Sequence, residues 1–120
     1  MSPVLSLTLA WLVQDVAFEC GRFFYGIRDF AKALRFYTIS SETIGQHHVT
    51  FHNMGLCYYS LGMADDAVQH FDLSIGMNSN YVKAQSWKEK VEKEIAVRRV
   101  KEEAEEVKVE KTETEEEEAS

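Results

Sequence analysis

Apolar residues fall at intervals of three and four along most of this chain, the spacing that one face of a helix requires. The clearest stretch is FHNMGLCYYSLGMADDAVQHF, Phe51 to Phe71. In it Phe51, Met54, Gly55, Tyr58 and Tyr59 form one stripe, Leu61-Gly62 stops it, and Ala64, Ala67, Val68 and Phe71 begin another. Upstream, Pro3 and Ser2 can open a helix, because proline is tolerated in a first turn. Leu5, Leu7, Leu9, Trp11 and Leu12 then give an apolar run with too little polarity for a solvent face, and a clear stripe follows through Val13, Ala17, Cys20, Gly21 and Phe24. One helix from about Leu5 to Gly26 is predicted, with a break near Gln14 as the alternative. Gly26 to Arg28 makes a turn, and Asp29 is placed to cap a second helix, Phe30 to about Glu42. Gly45 with Gln46-His47 ends it. The next two helices meet at Gly62-Met63, Asn78-Ser79-Asn80 closes the second, and a fifth starts near Tyr81. Its stripe is narrow: Ala84, Trp87, Val91 and Ile95 amid Lys and Glu.

The pattern returns at an offset of 34 residues. Gly55 falls on Gly21, Tyr58 on Phe24, Ala67 on Ala33, Phe71 on Tyr37 and Ser74 on Ser40. Glycine inside a helix costs about 1 kcal/mol relative to alanine, so its recurrence at one offset implies a packing reason. Gly21 and Gly55 are expected where a second helix approaches closely, with Ala33 and Ala67 as the small counterparts.

A 34-residue helix-turn-helix repeat resembles the tetratricopeptide repeat family. The resemblance covers about residues 14–95. It implies an all-α fold of stacked antiparallel helix-turn-helix hairpins, an α solenoid, with a C-terminal capping helix. The expected division is an N-terminal helical segment 1–13 that caps the first repeat, repeats at 14–47 and 48–81, a capping helix 82–100, and an acidic tail 101–120. The chain departs from the family where Ala17 stands for the aromatic that Phe51 supplies, where Arg28 stands for the turn glycine Gly62, and where Gly45 and Ser79 stand for closing prolines.

Composition narrows the function. The 120 residues carry a formal net charge of −7, and the ten Glu and three Lys of residues 101–120 account for all of it. The remainder is balanced, so no basic surface for nucleic acid is indicated. The tail lacks apolar residues that could offset its ordering entropy and is expected to be disordered. Cys20 and Cys57 have no metal or redox spacing and read as buried free thiols in a reducing, cytoplasmic or nuclear setting. The opening MSPVLSLTLAWLV lacks a basic leader and a cleavage site, and is too short to span a bilayer. His47, His48 and His52 place two imidazoles one turn apart, without a carboxylate or thiol at suitable spacing to complete a metal site. No phosphate loop or nucleophile elbow is present. A small metal-dependent enzyme is therefore the weakest reading, and the expectation is a non-catalytic protein without cofactor or metal.

In the family, ligands lie in a concave groove lined by the first helix of each repeat. The resemblance places Phe18, Arg22 and Tyr25, then His52, Asn53, Leu56 and Tyr59, then Lys83 and Trp87, along that groove. It implies an adaptor or assembly subunit that receives a peptide or helix from another protein. One subgroup grips the C-terminal carboxylates of heat-shock chaperones with lysine, arginine and asparagine. Here Asn53 and Lys83 match it, whereas Phe18, Arg22 and Trp87 stand where lysine, asparagine and arginine belong.

Overall fold

The protein, seen here in a computed structural model that describes residues 2–43, 45 and 47–119, is all-α. Its first helix, α1 (Pro3–Gly26), begins with the Ser2 hydroxyl accepting the Leu5 N–H at 3.2 Å. It runs past Gln14 without a break. The helix is followed by α2 (Phe30–Ser41), α3 (His48–Ser60), α4 (Ala64–Met77) and α5 (Val82–Ala119). Asp29 caps α2 through its carboxylate, which accepts the Lys32 N–H at 3.2 Å. Helix α2 ends one residue before the expected Glu42. Gln46, part of the expected stop, lies outside the described residues, as do Met1, Ile44 and Ser120.

Each helix packs on the next in sequence, and α3 also touches α5. The contacts show that α1 and α2 run antiparallel. Tyr25 meets Phe30 near the turn, Phe24 stacks on Phe36, and Phe18 meets Tyr37 further away. Helices α3 and α4 do the same through Tyr58 with His70 and His52 with Phe71. Ser74 closes the far end, its hydroxyl donating to the His48 carbonyl at 2.6 Å. Helix α5 returns along α4, with Trp87 against Phe71 and the Lys88 ammonium 2.7 Å from Asp72.

The two hairpins repeat one contact at the expected offset of 34. A Cβ on Gly21 would lie 2.7 Å from the Tyr37 ring, and one on Gly55 would lie 2.6 Å from the Phe71 ring. Both rings are buried, as are Ala33 and Ala67 beside them. The turns match as well. The Asp29 N–H reaches the Phe24 carbonyl at 2.9 Å, and the Met63 N–H reaches the Tyr58 carbonyl at 2.9 Å. This closure needs a left-handed residue just past the helix. Gly62 takes it at φ +80°, and in the first turn Arg28 does so at φ +65°.

Three expectations are corrected. Residues 3–13 do not form a separate cap on the first repeat; they extend α1 in line, with Val4 74% and Trp11 66% exposed. That continuity makes α1 a 24-residue helix, long and apolar enough by length and composition to cross a membrane, where the opening segment alone is too short. The tail is also helical: α5 continues to Ala119, and every described residue from Ala96 onward is exposed. Glu, Lys and Ala are good helix formers, and the stretch of α5 already docked on α4 supplies the costly nucleus from which they propagate.

Candidate interaction surface

The residues expected to line a groove belong to α1, α3 and α5, and the structure gathers them into three groups. The first surrounds the Tyr37 hydroxyl. Phe18 packs edge-on against the Tyr37 ring at 5.6 Å, Asn53 hydrogen-bonds the hydroxyl, and Arg22 and Tyr25 lie close enough to act on it electrostatically. Burial, with Cys57 nearby, pushes the Tyr37 pKa up to about 12, so the hydroxyl stays neutral. Arg22 itself is exposed and paired with Glu19 at 3.2 Å.

The second group is His52 with Lys83. His52 does not line an open surface: it is 3% exposed, wedged between Phe71 and Tyr81 at 5.4 and 5.3 Å. The sequence places it one turn from His48 on a single face, and that face is taken by Tyr81, which contacts both rings. Burial, aided by the Lys83 charge, lowers the His52 pKa to about 4 and keeps the imidazole neutral. Its Nδ1 has no hydrogen-bond partner among the described residues. Lys83 remains exposed.

Leu56, Tyr59 and Trp87 form the third group. Tyr59 and Trp87 meet edge to face at 5.4 Å, and both are half-buried. Two residues of α5 not anticipated from the sequence complete it. The Tyr59 hydroxyl donates to Glu94 at 2.8 Å, and the Lys90 ammonium lies 4.4 Å from the Trp87 ring centre and 5.5 Å from that of Tyr59. The bond to Glu94, with some burial, raises the Tyr59 pKa. The signal was available, since Lys90 and Glu94 follow Trp87 by one and two helical turns. Cation–π contacts of this kind hold an aromatic pair in place at about 0.5–1 kcal/mol each when exposed.

The surface thus combines fixed, half-buried aromatic faces with exposed cations at Arg22 and Lys83. It can receive apolar side chains and, beside them, an anionic group. Of the two thiols, Cys57 is buried as expected and burial pushes its pKa to about 12; Cys20 is only half-buried. Compared with known proteins, the chain matches no family model and no curated protein.

Proposed function

We propose that the chain is a tetratricopeptide-like interaction module, two stacked hairpins closed by α5, that binds a segment of another protein and performs no catalysis. The observation that carries this reading is the doubled glycine–ring contact, Gly21 on Tyr37 and Gly55 on Phe71, at an offset of 34 residues. Two hairpins built on the same contact put their first helices on one side, and the side chains of α1, α3 and α5 described above then line a common surface. The receiving residues are Phe18, Arg22, Tyr25, Asn53, Leu56, Tyr59, Lys83 and Trp87. His52 supports them from below. The carboxylate-gripping variant has less in its favour, because Phe18 and Trp87 stand where it needs lysine and arginine.

The test is selection of displayed peptides on the immobilised full chain. The expected result is a set of binders that compete with one another and lose affinity by about tenfold or more, the loss of one good contact, on Tyr25→Ala or Lys83→Ala. The thermal melt of Lys83→Ala should match the parent, whereas Tyr25→Ala also gives up the ring contact with Phe30 and should melt lower. Selection that enriches nothing, or binders indifferent to both substitutions, overturns the reading.

A further inference from the structure

The hairpins share their glycine–ring contact but differ on another face of their second helices. In the second hairpin His70 is held by two rings, Tyr58 at 4.6 Å and Phe51 at 6.4 Å, and its Nδ1–H donates to the Asp66 carbonyl at 2.8 Å. Its counterpart 34 residues earlier is Phe36, which among the described rings meets Phe24 alone. The two lie nearly parallel, with centres 5.3 Å apart and planes 4° from each other. Beside them is a depression of about 390 Å³ lined by Phe24, Lys32, Arg35, Phe36 and Ile39. The frame of two rings and an aliphatic group recurs in the second hairpin as Tyr58, His70 and Leu73. The two cations do not recur, for Asp66 and Gln69 stand in their places.

Both cations are available. The Lys32 ammonium lies 5.5 Å from the Phe24 ring centre, and its exposed pair with Asp29, at 3.7 Å, is of a kind worth little. Arg35 is exposed and has no carboxylate within ion-pair reach among the described residues. Its planar guanidinium can take a carboxylate through two parallel bonds. Size decides the kind of occupant. A specific protein interface takes about 800 Å² from each partner, whereas small-molecule sites begin at about 300 Å³. Parallel rings accept a third ring in the same offset manner. We propose that this depression binds a small aromatic carboxylate, its ring against Phe24, Phe36 and Ile39 and its carboxylate on Arg35 with Lys32 beside it. None of these residues belongs to the surface assigned above to a protein segment, so either site can fail without the other.

The experiment is titration of the isotope-labelled full chain with 2-naphthoate, followed through amide chemical shifts. The expected result is saturable shifts centred on Phe24 and on Lys32 to Ile39, with a dissociation constant below about 1 mM. The uncharged 2-naphthamide should bind at least about tenfold more weakly. Arg35→Gln should weaken 2-naphthoate by about tenfold or more, the loss of one charge-assisted bond. Ile39→Asp sets a carboxylate in the depression and should abolish the shifts. Arg35 and Ile39 are both exposed, so each variant should keep the circular dichroism of the parent. Shifts that do not saturate by about 10 mM, equal binding of naphthoate and naphthamide, or indifference to either substitution overturns the proposal. So do shifts centred on Leu5 to Leu12, which would assign the ring to the exposed stripe of α1.

Discussion

Alanine at Gly55 tests the central contact of the fold, because two effects of known size oppose each other there. In a helix interior, glycine to alanine gains about 1 kcal/mol from reduced backbone entropy in the unfolded chain. At Gly55 the added Cβ would stand 2.6 and 2.8 Å from Cε1 and Cδ1 of Phe71. Ordinary contact begins near 3.4 Å, so the ring must retreat by most of an ångström. It has little room, being fully buried with His52 and Trp87 against it. Overpacking of this kind costs about 1–3 kcal/mol, enough to cancel the gain and leave a net loss of about 1 kcal/mol. Gly76 in α4 is the control, since nothing lies within 4 Å of a Cβ built there. Gly76→Ala should raise the melting temperature, and Gly55→Ala should lower it by about 4–8 °C, the shift expected per kcal/mol in a domain of this size. Gly55→Leu should prevent cooperative unfolding altogether. Thermal denaturation followed by circular dichroism decides the matter. If Gly55→Ala melts higher, as Gly76→Ala does, the ring is free to move and the close approach is not what selects glycine.

Arg28→Gly should stabilise the protein by about 0.5 kcal/mol in urea titrations: it removes about 1–2 kcal/mol of left-handed strain but frees the unfolded chain by about 1 kcal/mol. His52 sets a pH dependence. Its pKa is 6.5 unfolded and about 4 folded, so its contribution is complete above pH 6.5 and is lost as pH falls through the window from 6.5 to about 4. The slope approaches ~1.4 kcal/mol per pH unit; urea midpoints at pH 7 and 5 should differ less in His52→Gln than in the parent. Truncation after Lys108 removes only exposed helix, so it should shift stability by under about 1 kcal/mol, the range of surface changes. It should also reduce total helical ellipticity by the missing turns.

Periodicity and one internal offset made the hairpins legible. Gly21, Gly55, Ala33 and Ala67 could be placed because a glycine inside a helix has few reasons to recur except a close neighbour. Asp29 could be placed because capping is local. What failed was non-local. His52 looked like a groove residue by register, yet Tyr81, beyond the end of α4, reaches back to cover it. Tyr59 and Trp87 do meet, but Lys90 and Glu94, one and two turns beyond Trp87, were not singled out as partners because either could have pointed to water. For residues 101–119 composition argued for disorder. It weighs burial alone and leaves out that a helix already started in α5 extends at little cost.

The length of α5 divides the protein electrically. From Val100 to Ala119 the rod extends about 28 Å at 1.5 Å per residue, in a molecule whose longest dimension is 81 Å. The screening length in physiological salt is about 8 Å, so the Glu115–Glu118 cluster lies several screening lengths from the paired helices. The neutral body and the acidic tip therefore respond to salt independently. Raising ionic strength relieves glutamate repulsion along the rod and firms its outer turns, while the hairpins, whose own charges balance, feel almost nothing. A cation drawn to the tip is likewise held far from Tyr59 and Trp87.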